Sequence, residues 1–152
     1  MEETITYQEK KHIASLIGSL IVFGGYCLYV YLNIQANQLD VSNDLYFWAK
    51  AFLIMIPVSI VGRIIIMIIF AMVNHMITRR EEKDITDERD KLIELKAIRN
   101  THWIFILGFF IAMGSILMGM SMATMFIIIA FSGFISDVAG ELSHIWMYRK
   151  GI

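Results

Sequence analysis

A chain of 152 residues that is 57% hydrophobic, has a mean hydropathy of +0.62 and contains one proline lies outside the soluble range of about 45–50% apolar residues. Its formal charge of −1 gives no basic excess for direct nucleic-acid binding, and its one cysteine, Cys27, excludes an intrachain disulfide and leaves the redox compartment open. The composition is that of an integral membrane protein.

The N-terminus, Met1-Glu2-Glu3-Thr4, is acidic, and no small-residue cleavage site follows the first apolar run, which predicts a retained helix rather than a signal peptide. That first span covers about residues 13–32, with Lys10, Lys11 and His12 before it. Ser15, Gly18, Val22 and Gly25 form a 3-4-3 stripe along it, a seam where another helix can approach closely. The link over residues 33–44 has no Lys or Arg. A second span, about 47–77, exceeds the roughly 20 residues that cross a bilayer, so it is expected to tilt, kink or emerge. Pro57 predicts the kink, and Gly62 follows five residues on.

Residues 79–100 are the one long stretch suited to water, with seven of the chain's 14 acidic and seven of its 13 basic residues. The third span, about 103–120, carries a second stripe, Gly108, Ala112, Ser115 and Gly119. Only Met120-Ser121-Met122 separates it from a fourth span at about 123–147, which forces an antiparallel hairpin. The predicted fold is all-α, one transmembrane domain over residues 1–152. It is a four-helix bundle of two antiparallel hairpins joined by a charged cytoplasmic helix.

Orientation follows from the positive charges. Lys10 and Lys11, seven basic residues in the central segment, and Arg149-Lys150 all fall on one side, whereas the other offers only Lys50. The positive-inside rule therefore puts both termini and the central segment in the cytoplasm, with the chain in the cell (inner) membrane. Trp103, Trp146 and Tyr148 would form the inner aromatic belt, and Tyr29, Tyr31, Tyr46 and Trp48 the outer one.

Ionisable residues inside spans mark the candidate chemistry. Arg63 sits in the middle of Ile60-Val61-Gly62-Arg63-Ile64-Ile65-Ile66, where an unpartnered charge costs at least roughly 2.5–3.5 kcal/mol. The fourth span carries Ala130, Gly133, Asp137, Gly140 and His144 at 3-4-3-4 spacing, with Ser132, Ser136, Ala139 and Ser143 alongside and Glu141 four residues after Asp137. Counted from the outer ends of their spans, Arg63 lies roughly 22 Å and Asp137 roughly 21 Å deep, at 1.5 Å per residue. An Arg63–Asp137 ion pair with Glu141 as second acceptor is the architectural expectation. The functional one is a proton or ion relay through Asp137, Glu141 and His144, because two carboxylates and one guanidinium leave a charge to balance.

Glu141-x-x-His144 also has the spacing of a di-iron bundle ligand pair, but no other span repeats it, so no metal or other cofactor is expected. His75 and His102 belong at the inner interface, as does His12. No nucleophile triad, phosphate loop or zinc cluster is present, so enzyme activity is not expected.

Within the central segment Thr86 can serve as N-cap, Asp87 and Glu88 complement the helix dipole, and no Pro or Gly interrupts residues 87–107. An amphipathic helix running into the third span is predicted, with Leu92, Leu95 and Ile98 as its apolar edge. Asp87-Glu88-Arg89-Asp90-x-x-Ile93-x-x-Lys96-Ala97, just before the third of four spans, resembles the central motif of a family of small, uncharacterised prokaryotic four-span membrane proteins. Members of that family are often encoded beside a helix-turn-helix regulator, which implies a membrane-embedded regulatory or sensory partner working through this segment. Asp87, Glu88, Arg89, Leu92, Leu95, Lys96 and Ile98 would then meet a cytosolic regulator protein, and the glycine stripes would support a homo-oligomer. The alternative is a small proton- or ion-coupled channel or transporter component using Arg63, Asp137, Glu141 and His144.

Overall fold

The computed structural model describes residues 7–38, 40–78 and 88–150, and among these the chain is helical with no strand. The helices are α1 (Tyr7–Asn37), α2 (Leu45–Thr78), α3 (Glu88–Leu117) and α4 (Met122–Lys150). Each is long and apolar enough to cross a membrane. Both ends of α1 extend beyond the apolar run, so Lys10, Lys11 and His12 lie within the helix. α2 continues through Pro57 without interruption. α3 unites the charged Glu88–Asn100 portion with the third apolar run in one helix, as the lack of a breaker predicts. Thr86 and Asp87, like the rest of 79–87, lie outside the described residues.

The helices end where local chemistry stops them. Gln38 turns into the left-handed region (φ 48°) and its N–H donates to the Gln35 carbonyl at 3.3 Å, closing α1. Asp44 caps α2 by accepting the Phe47 N–H at 3.0 Å. The third helix ends at Leu117, earlier than residue 120, because Gly119 adopts φ 78°. The Gly119 N–H reaches the Ile116 carbonyl and the Met120 N–H the Ser115 carbonyl, both at 3.0 Å, a Schellman closure. Gly119 is thus a turn residue and not part of a packing stripe. The link to α4 is residues 118–121, and Ser121 caps α4 through the Thr124 N–H at 3.3 Å.

The two turns meet at one end of the molecule. The Ala123 N–H donates to the Ser42 carbonyl at 3.0 Å and the Met122 N–H to Asn43 Oδ1 at 3.2 Å, so the α1–α2 turn satisfies open donors at the start of α4. Trp48 Nε1 anchors the same turn on the Val41 carbonyl at 2.6 Å. Asp40 accepts from the Ser42 hydroxyl and amide, which holds its pKa below the ordinary carboxylate value. That contribution is complete above the ordinary range and is lost as the pH falls through the lowered value.

α4 is the hub: it packs against α1, α2 and α3, whereas among the described helices α3 packs against α4 alone. α1 runs antiparallel to α2 and α4. α2 runs parallel to α4, so that Phe52 meets Phe126 and Arg63 meets Asp137. Between α1 and α2 the packing is reciprocal: Ile66 fills the space over Gly18, and a Cβ on Gly62 would come within 2.6 Å of Val22. Between α3 and α4, Ser132 covers Gly108 and Thr101 covers Gly140. The seam hydroxyls return to their own helices, Ser132 to the Ile128 carbonyl at 2.6 Å and Ser115 to the Ala112 carbonyl at 2.7 Å, so the close approach strands no donor. Gly25 meets nothing within 4 Å and does not belong to the α1 seam.

Replacing Gly108 by Ala will therefore lower the unfolding midpoint in detergent, at an overpacking cost of about 1–3 kcal/mol. Gly25→Ala, which only improves helix propensity, will hold or raise it. Circular dichroism melts of both variants beside the parent check the difference.

Candidate functional site

α4 carries two distinct polar faces, because residues 100° apart on a helix point to different neighbours. Ser132, Ser136 and Gly140 line the face against α3. Asp137, Glu141 and His144, at i, i+4 and i+7, line the face toward α1 and α2. The sequence spacing had joined Gly140 to the Asp137 stripe, whereas the structure assigns it to the α3 seam.

On the second face Arg63 Nη2 donates to Asp137 Oδ1 and lies 3.6 Å from Glu141 Oε1. Glu141 is 7% exposed and is held from α1: the Ser15 hydroxyl donates to Oε1 at 2.6 Å, and His12 Nδ1 stands 2.7 Å from Oε2. An ionised carboxylate can only accept, so that contact puts a proton on His12 Nδ1. The His12 ring stacks on His144 with centroids 4.2 Å apart and planes 7° from parallel, and Tyr148 follows at 5.9 Å. His144 Nδ1 is buried without a hydrogen-bond partner among the described residues. Stacked rings do not direct their nitrogens at a common point, so His12, His144 and Glu141 do not make a metal-ligand set.

The sequence places His12 at the inner interface and His144 in the relay. The structure adds a contact of His12 with Glu141, with His144 behind it as a stacking partner. The signal was present: His12, Ser15 and Ser19 recur at i, i+3 and i+7, one polar stripe entering the apolar run of α1.

Charge defines what the cluster can do. Asp137 and Glu141 oppose one guanidinium, so the site carries −1 when His12 is neutral and is balanced when His12 is an imidazolium. Unlike the buried Glu141, the Arg63 and Asp137 side chains are 48% and 35% exposed, at the edge of a cavity of about 350 Å³ between α1, α2 and α4. Ser15, Ser19, Ser59, Phe23 and Phe134 share its lining. A second cavity of about 330 Å³ lies nearer the turns, with Met55 and Ala130 in the lining of both, and is walled by Tyr26, Trp48, Phe52 and Phe126.

The central motif lies elsewhere. Ile93 and Ala97, 2% and 1% exposed, pack on Met147 and Tyr148 at the end of α4, so these two motif positions secure α3. Glu88, Arg89, Lys96, Leu92, Leu95 and Ile98 face outward, and Asp87 is outside the described residues. Comparison with protein-family models, with curated proteins and with solved structures finds no match for this chain.

Asp137→Asn and Arg63→Gln will each lower the unfolding midpoint, since each leaves a charge without its partner, and the double variant will regain most of the loss. The coupling expected between contacting residues is about 0.5–3 kcal/mol, and a double-mutant cycle on detergent-solubilised protein measures it.

Proposed function

We propose that the chain is a multi-pass protein of the cell (inner) membrane, with both termini and the charged segment in the cytoplasm, and that it is a small proton- or ion-coupled channel or transporter component. Membrane insertion is supported by helices of 29–34 residues, roughly 43–51 Å at 1.5 Å per residue, against a hydrocarbon core of about 30 Å. It is supported too by α2, whose span buries no residue and presents Leu53, Ile60, Ile64 and Ile68 outward. The functional reading rests on one observation: Arg63 stands between two carboxylates, one of them bonded to a histidine, at the rim of a cavity.

This arrangement supports a switch. A proton on Asp137 removes the charge that holds Arg63, and the guanidinium then has Glu141 at 3.6 Å as its remaining anion. With Asp137 neutral, Glu141 and Arg63 balance each other, so a second proton on the His12 ring becomes the surplus charge of the cluster, while its Nδ1 contact with Oε2 is kept. One proton is thereby passed between the cavity side and the His12 end without leaving two unpaired carboxylates in an apolar surrounding.

Purified protein in proteoliposomes will carry a pH-dependent flux across about pH 5–8, the range in which a histidine changes charge. The Arg63→Gln/Asp137→Asn variant will fold yet lose that flux. Wild-type flux no greater than that of empty liposomes would overturn the proposal.

The outward line of Leu92, Leu95 and Ile98 favours a second reading, a membrane-embedded regulatory or sensory partner that docks a cytosolic protein through α3. The motif around Glu88–Ala97 supports placing the chain with the four-span family on the same grounds. Changing all three residues to Asp will abolish capture of that protein if the reading holds, and identical recovery by parent and variant would reject it.

A further inference from the structure

We propose that the two adjacent cavities bind a lipophilic organic cation, taken up against the charge of Asp137 in exchange for the proton on His12. This rests on the proton-coupled reading of the same site and names its substrate class.

Charge decides the sign of the ligand. Two carboxylates face one guanidinium, and an anion at the cavity rim would meet Asp137 and an Arg63 already engaged by it, whereas a cation adds the missing positive charge. The lining decides its character. Phe23 and Phe134, stacked on each other at 4.2 Å, give the inner cavity an apolar wall, and Trp48, Phe52 and Phe126 wall the outer one with rings that attract a weakly hydrated cation. A small metal cation is poorly served, because it needs a shell of oxygens and the wall is largely apolar, from Val22, Phe23, Met55, Ile60 and Phe134. Volumes of about 350 and 330 Å³ together fall in the range of small-molecule sites, roughly 300–1,000 Å³. The half-exposed ion pair shows that the inner cavity opens at the molecular surface, which gives such a ligand its entry.

The exchange balances one for one. A bound monovalent cation restores neutrality beside Asp137 and Glu141, so the imidazolium of His12 gives up one proton and becomes neutral. The groups facing His12 are Glu141, His144 and Tyr148 on α4, with Arg63 of α2 on the far oxygen of Glu141. Glu94 of α3 and Lys11 act on His144 through space.

Tetraphenylphosphonium, with the isosteric anion tetraphenylborate as control, tests this on the purified full chain in nanodiscs by isothermal titration. Saturable binding of the phosphonium, several-fold weaker at about pH 5.5 than at about pH 8, is the expected result, with about one proton released per cation bound. Arg63→Gln will bind it more tightly and Phe126→Ala several-fold more weakly, whereas Leu107→Ala, an outward-facing residue of α3, will leave binding unchanged. The Arg63→Gln/Asp137→Asn variant, whose fold the paired change preserves, will lose at least tenfold in affinity. Equal uptake of phosphonium and borate, or weaker binding by Arg63→Gln, would overturn the proposal. Proton flux with no phosphonium binding would reject the ligand class while leaving proton coupling standing. Phosphonium binding without proton release would reject the exchange.

Discussion

A buried carboxylate, Glu141, sets the geometry of the polar half of this molecule. A carboxylate removed from water needs its lone pairs met, and Glu141 draws its partners from two other helices: Ser15 and His12 from α1, and Arg63 from α2. Satisfying all three fixes the rotation of α1 and the depth of α2 against α4. Arg63, placed at that depth, then reaches Asp137 one turn away. Because each contact crosses between helices, the cluster acts as a register pin as well as a candidate site.

The other half is organised by shape. α3 adheres to α4 through small residues whose hydroxyls are satisfied within their own helices, so the interface is made by close backbone approach and not by charge. α4 therefore presents a cluster of charged and polar side chains on one face and close packing on the other. Ile93 and Ala97 extend the packing face to the end of α4, beside Tyr148, which is also next to His12. The charge state of the imidazole pair and the seating of the charged start of α3 are thus adjacent in space.

The turn end adds a second constraint. Ser42 and Asn43 supply acceptors for the first amides of α4, and Trp48 holds their loop through the Val41 carbonyl. The two hairpins are consequently joined at that end by the Ser42 carbonyl and the Asn43 side chain, and at the other by the Glu9–Arg149 contact at 3.5 Å and the histidine stack. Between these ends lies the aromatic-walled space of α1, α2 and α4, which α3 does not cover.

The sequence by itself determined the number of helices, their apolar character, the short links, the continuity of α3 and the pairing of Arg63 with Asp137. Each follows from a local or one-dimensional property: run length, absence of breakers, or equal rise along two helices that point the same way. What only the tertiary structure decided was which face of each helix meets which neighbour. The 3.6-residue period leaves Gly140 one step from both stripes of α4, and only the position of Thr101 on α3 assigns it. Gly119 matched a packing stripe by spacing, but its positive φ made it a turn. The contact of His12 with the cluster was not legible for the same reason: its partner is 129 positions away, and no local pattern encodes how α1 rotates against α4.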